Sequence, residues 1–263
     1  MYFVQGLLSS YTGILIFALQ NSLNMPYRRL PNTDSARHRA LSRSFEKGRE
    51  LPPFKLAFSQ STFQRVQSFL PSWEKAMYEV KQAYSNQVKR NKEYIRVQKK
   101  AKLYISHFIQ VVNMAIMRGD LPDNERGLFG IHEDMTRLPL LNSEADLIKW
   151  GEKLIHGENL RKAKGLSPIT NPTIAVVRVR YEQFLDSYKF QKTLQKNYSR
   201  AQEHLANMRK EADDIILNVW NEVENHFADL TDKEKRTRAE EYGLSYVFRK
   251  GELKKQKSVA NST

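Results

Sequence analysis

Glu222 and His226 stand four residues apart, a spacing that puts two potential metal ligands on one helix face. Asp213, Asp214 and Glu224 lie close by. Helical bundles that hold paired metals build them from Glu-x-x-His pairs on facing helices, and that tetrad occurs nowhere in the chain. Simpler roles suit these residues better. Asp213 and Asp214 sit beside Arg209 and Lys210, where helix-face pairing is expected. His226 falls on an apolar seam at a helix end, which suits a partly buried, stacked imidazole. His107 has Ser106 next to it, but adjacent residues point to different sides of a helix, so no nucleophile–base pair forms. The chain has no Cys, which removes disulfides, thiolate nucleophiles and Cys-type zinc sites. Gly-rich phosphate loops, nucleophile elbows and dinucleotide fingerprints are also absent. The residues therefore assign no catalytic group, no metal and no cofactor, and they argue against an enzyme.

The sharpest charged feature is Lys89, Arg90, Lys92, Arg96, Lys99, Lys100 and Lys102, with Tyr84 and Tyr94 near it. Such a cluster can track a phosphate backbone. The seven positions wrap around a helix rather than forming one stripe, and a solvated helix stretch explains them as well. The chain of 263 residues carries 43 Lys and Arg against 29 Asp and Glu, a net +14. Residues 25–118 hold 19 basic and 6 acidic side chains, whereas residues 140–229 hold 13 of each. The basic excess thus lies in the first half, with a smaller share after residue 230. An uneven charge of this kind attracts polyanions such as nucleic acid, an acidic protein or a membrane surface.

Long helices must position these side chains. Apolar residues recur at steps of three and four through Phe63, Val66, Leu70, Trp73, Met77, Val80 and Tyr84, and again from Tyr94 to Ala115. A second series runs Ile174, Val177, Tyr181, Phe184, Tyr188, then Tyr198 to Val223. An offset of 111 residues carries Phe63 to Ile174, Trp73 to Phe184 and Phe108 to Val219. The shared phase predicts an all-α fold, an elongated helical bundle of two tandem repeats. Each repeat has a short helix, a Pro-containing loop and a long helical segment. Thr33 and Ser143 supply N-caps for the short helices, and Asn171 with Pro172 is expected to open the second long one. Mid-segment the seam turns polar, with Gln87, Asn91 and Gln98 in one and Gln191, Gln195 and Gln202 in the other. Either a helix turn lies there, making hairpins of a four-helix bundle, or each segment is one continuous helix of ~80 Å at 1.5 Å per residue.

This organisation divides the chain into residues 25–118 (repeat one), 119–139 (a linker), 140–229 (repeat two), 230–250 (a short helix and a strand) and 251–263 (a disordered basic tail). Leu128–Ile131 and Leu244–Phe248 are expected to pair as a small two-stranded ribbon. Residues 1–24 contain no charged side chain, unlike all that follows. A mis-assigned start, with translation beginning at Met25, explains them most simply, and a leader is the second explanation. No stable membrane span is expected, and the location is cytoplasmic unless residues 1–24 are a genuine leader.

Pro26-Tyr27-Arg28-Arg29-Leu30-Pro31-Asn32-Thr33-Asp34, Ser106–Gln110, Trp220–Glu224 and Tyr242–Arg249 resemble an uncharacterised family of bacterial all-helical proteins. The likeness spans about residues 25–250 and carries no activity with it. Two functions fit the residues. One is a non-enzymatic scaffold that binds itself or another protein, with Tyr78, Tyr188 and Phe190 as exposed contacts. The other is a nucleic-acid-associated accessory protein that uses the basic first half.

Overall fold

The computed structural model describes residues 26–132 and 137–248. The expectations for residues 1–24 and for the tail after residue 250 lie outside the described residues. The chain is an all-α bundle with one small ribbon. Its elements are β1 (Tyr27–Arg28), α1 (Asp34–Glu50), α2 (Gln60–Met117), α3 (Glu144–Ala163), α4 (Ile174–His226), α5 (Asp232–Glu240) and β2 (Tyr246–Val247), with short 3₁₀ turns at Pro53–Lys55 and Asp123–Phe129. Both long segments are continuous helices through their polar middles, 58 and 53 residues long.

The helix starts follow capping chemistry. The Thr33 hydroxyl accepts from the Ala36 N–H, and complete capping boxes form at Ser143 with Asp146 and at Thr231 with Glu234. Asn171 does not cap α4. It sits in the left-handed region at φ 54°, and the helix begins three residues later at Ile174.

Two compact units divide the chain, residues 1–78 with 203–263 and residues 79–202. They do not coincide with the segments 25–118 and 140–229. Each unit combines the first part of one long helix with the last part of the other, with α1 and α5 in the first unit and α3 in the second.

In the first unit the buried side chains come from α1 (Leu41), the loop before α2 (Phe58), α2 (Val66, Trp73) and α4 (Ile215, Ile216, Val219, Trp220). Gly48 of α1 lies against the Phe63 ring, and an added Cβ would collide with it. Paired charges join α1 to α4. Arg37 donates two hydrogen bonds to Asp213 at 2.8 and 2.9 Å, and Arg209 donates two to Asp34 at 2.8 Å. Glu222 of α4 accepts from the Ser59 backbone N–H and from the Thr62 hydroxyl at 2.6 Å, at the start of α2.

The ribbon also belongs to this unit, and its pairing corrects the sequence expectation. Tyr27 pairs with Val247 and Arg28 with Tyr246, antiparallel. Arg28 and the Tyr246 hydroxyl both donate to Glu224 of α4, at 2.8 and 2.7 Å. The expected partner, Leu128–Ile131, lies in the second unit, where residues up to Phe129 form a 3₁₀ turn. That turn is no plain linker: Phe129 and Ile131 are buried in the second core, with Phe129 edge-on to Phe108 at 5.8 Å.

The rest of the second core comes from Ile105, Phe108 and Val112 of α2, Leu147 and Leu154 of α3, and Val177, Tyr181 and Phe184 of α4. Gly151 of α3 approaches the Tyr181 ring as Gly48 approaches Phe63. A buried ionic group ties the non-helical segments to α3. Arg161 bridges Glu125 of the 3₁₀ turn, lies 3.4 Å from Glu158, and donates to the Ser167 carbonyl at 2.8 Å. Glu158 accepts from the Ile169 N–H at 2.8 Å. Burial pushes the Glu158 carboxyl up, and the Ile169 bond works against it.

Trp220 is 1% exposed and Phe108 is fully buried. Truncating either to Ala is expected to cost ~3–5 kcal/mol in denaturant unfolding, whereas Lys99→Ala or Lys100→Ala, both exposed and without an ion pair among the described residues, should shift stability by no more than ~0.5 kcal/mol. A second expectation concerns pH. Burial works to raise the Glu222 carboxyl, but the bonds from Thr62 and Ser59 outweigh it and hold the group below its ordinary 4.5. A depressed carboxylate stabilises the fold above its unfolded pKa, and that contribution is lost as pH falls through the folded value. The wild type should therefore exceed Glu222→Gln by about 1–2 kcal/mol at pH 7. The difference should shrink steadily below pH 4.5 in urea titrations at stepped pH.

Candidate polyanion-binding surface

The seven basic residues singled out from the sequence all lie in the second unit, on the stretch of α2 after residue 79, and all are exposed. Arg96 pairs with Glu93 at 2.7 Å, and Lys102 donates to the Asn142 side chain at 3.2 Å. The Arg90 guanidinium lies over the Phe190 ring, 5.9 Å from its centroid. Lys89, Lys92, Lys99 and Lys100 have no ion pair among the described residues.

What surrounds them is set by how α2 meets α4. Within this unit the helices run antiparallel: Tyr84 faces Tyr198 with ring centroids 5.6 Å apart, Gln191 lies 3.5 Å from Asn91, and Tyr94 stacks on Phe184 at 6.5 Å. The polar seam anticipated from the sequence is thus a meeting of amides and tyrosines, with Gln191 buried and Gln202 donating to the Tyr198 hydroxyl at 2.8 Å.

This register brings a second basic group to the first. Lys189, Lys192, Lys196 and Arg200 of α4 are all exposed and occupy the stretch facing Tyr84–Tyr94. Residues 81–102 contain eight basic side chains and one acidic, and residues 187–202 contain four and none. Heptad spacing places some of these on a shared face of their own helix. Lys92 and Lys99 are seven apart, Lys189 and Lys196 are seven apart, and Lys81 and Lys102 are three heptads apart. Lys102 reaches Asn142 and Lys192 reaches Glu144 at 3.1 Å, which places these two lysines on the side where α3 starts. The exposed Val88 and Ile95 share the phase of Lys81 and Lys102. The Glu144 carboxylate raises Lys192 above its ordinary value, so that lysine stays charged.

Positive charges gathered this closely repel one another, and the described carboxylates neutralise few of them. The surface can lower its energy by taking up anions along its length. Lysines act as mobile point charges rather than as fixed forks, so they suit the phosphates of a backbone and carry no base readout.

Three of the acids raised by the sequence have structural partners: Asp213 is held by Arg37, Glu222 by Ser59 and Thr62, and Glu224 by Arg28 and Tyr246. The pairing expected along α4 does not form, because Arg209 reaches Asp34 of α1 instead and Asp214 is exposed. No group of three acidic or His side chains among the described residues is placed to hold a metal. His226 is exposed rather than sunk in the seam, and it stacks edge-on against Phe227 at 5.0 Å. His107 is exposed as well. Tyr78 and Phe190 are exposed as expected, but Tyr188 is half-buried against Phe184 under Lys192.

The α4 lysines are hidden in the coarse charge sum, because residues 140–229 add to zero. A finer window exposes them, since no acidic residue lies between Asp186 and Glu203 while basic residues recur every three or four positions. No described helix is long and apolar enough to cross a membrane. Comparison of the chain with protein-family models, with curated proteins and with solved structures gave no match.

Proposed function

We propose that this protein is a non-enzymatic helical scaffold that binds nucleic acid through its phosphate backbone, on the basic flank of the α2–α4 pair in the second unit. One observation carries the reading: antiparallel pairing joins two basic stretches, twelve cations against one carboxylate, from parts of the chain far apart in sequence. Binding of this kind is independent of base sequence and strongly salt-dependent, because each neutralised phosphate releases a counterion. The non-enzymatic part of the proposal rests on the occupation of the candidate acids by structural bonds.

A fluorescently labelled DNA duplex of mixed sequence tests it by anisotropy at several salt concentrations. The wild type should bind at low salt, with log K falling linearly in log salt. Replacing Lys92, Lys99 and Lys196 together by Gln should weaken binding and flatten the slope by up to about 0.9 for each phosphate that is no longer neutralised. Melting temperature should not change. Absence of binding at about 50 mM salt, or an unaltered slope in the triple variant, would remove the proposal.

A further inference from the structure

The first unit contains a groove of about 530 Å³, bounded by the chain following β1, by α1, and by the chain between α5 and β2. Its size is in the range of small-molecule sites. Three arginines line it, Arg29 just after β1 and Arg39 and Arg43 one turn apart on α1. All three are exposed, and none has a hydrogen-bonding or ionic side-chain partner among the described residues. Neighbouring arginines in the same unit differ sharply. Arg28, Arg37 and Arg209 each find a carboxylate at 2.8 Å. The fold therefore supplies acids for the arginines that fasten its elements and leaves these three open to the groove, where Glu240 is the one lining carboxylate among the described residues.

The rest of the lining mixes polar residues, Asn32 and Ser245, with apolar ones, of which Leu30 is exposed and Pro31 and Val247 are half-buried. The Trp220 indole N–H is buried and has no acceptor among the described residues. Buried donors are ordinarily paired, and Trp220 is one of the residues lining the groove. Guanidinium groups match phosphate oxygens two at a time, which a single lysine cannot do. Gly243 holds the groove wall close: its φ is 90°, and a Cβ there would lie 3.1 Å from the Ala40 backbone and from Arg43.

We propose that this groove binds a small organic phosphate, with the phosphate on Arg29, Arg39 and Arg43 and an apolar or aromatic body against Leu30, Pro31 and Val247. The site shares no residue with the basic flank of the second unit, so either can fail without the other.

Indole N–H resonances test it directly, because the chain has three tryptophans and Trp220→Phe identifies one of the three signals. Phenyl phosphate is the probe. Its titration into the full chain should shift the Trp220 signal with a Kd below ~1 mM while Trp150 stays in place. Inorganic phosphate should bind about tenfold more weakly, lacking the body that covers the apolar wall. Arg39→Gln with Arg43→Gln should weaken phenyl phosphate at least about tenfold, through the loss of charged hydrogen bonds. Unchanged Trp73 and Trp150 signals in that variant would show an intact fold; if they collapse, Arg39→Lys, which keeps the charge but loses the fork, must show the weakening instead. A Trp220 signal unmoved by ~10 mM phenyl phosphate, equal affinity for inorganic phosphate, or undiminished binding in the folded arginine variants would overturn the proposal.

Discussion

The meeting of Gln191 with Asn91, flanked by Tyr84 on Tyr198 and Tyr94 on Phe184, fixes which parts of two long helices lie side by side in the second unit. A purely apolar heptad seam permits slippage by whole heptads at modest cost. The amide of buried Gln191 resists such a slip, because it would lose the Asn91 side chain 3.5 Å away and meet other groups instead. The register costs stability in the middle of the pair, and what it produces is electrostatic. Lys189, Lys192 and Lys196 come to lie opposite the stretch of α2 that carries Lys89, Arg90 and Lys92. A slip of one heptad would displace the two sets by about 10 Å, close to the screening length at physiological salt.

The second unit also shows how irregular chain is held to such a pair. Residues 165–173 contain little regular structure and residues 123–129 form only a 3₁₀ turn, so both segments need anchoring from elsewhere. Arg161 and Glu158, one turn apart on α3, reach both segments through Glu125, the Ser167 carbonyl and the Ile169 N–H. Ions this deeply buried are costly to desolvate, and removing one partner strands the others. The group therefore contributes more to the choice of conformation than to net stability. The first unit uses part-exposed equivalents, with Arg37 on Asp213, Arg209 on Asp34 and Arg28 on Glu224.

Periodicity and capping chemistry make the helices legible. Phe63 to Ala115 and Ile174 to Val223 announce long amphipathic segments, and Thr33 and Ser143 mark starts that the structure keeps. Other features depend on contacts that no local pattern encodes. Two residues, Tyr27 and Arg28, are too few to show strand alternation, so the sequence points β2 to the wrong partner. Gly127–Ile131 has the composition of a linker, yet Phe129 and Ile131 complete a core whose other side chains are up to about 50 residues away. Glu158 and Arg161 have the spacing of an ordinary surface pair, and only the fold shows them buried. The candidate surface is half visible: the α2 cluster stands out, whereas the α4 lysines are cancelled by acids elsewhere in the same half.

A shared basic surface requires the register of the α2–α4 pair, and cross-linking measures that register most directly. The chain has no Cys, so Asn91→Cys with Gln191→Cys creates a unique thiol pair. A short bis-maleimide should join these two positions within one chain, rapidly and in high yield, and the joined protein should still bind a DNA duplex as the uncoupled one does. The pair Asn91→Cys with Tyr198→Cys, one heptad out of register, should react slowly or not at all. Efficient coupling of the offset pair with none at Asn91 and Gln191 would contradict this register, and the two lysine sets would then not share a surface.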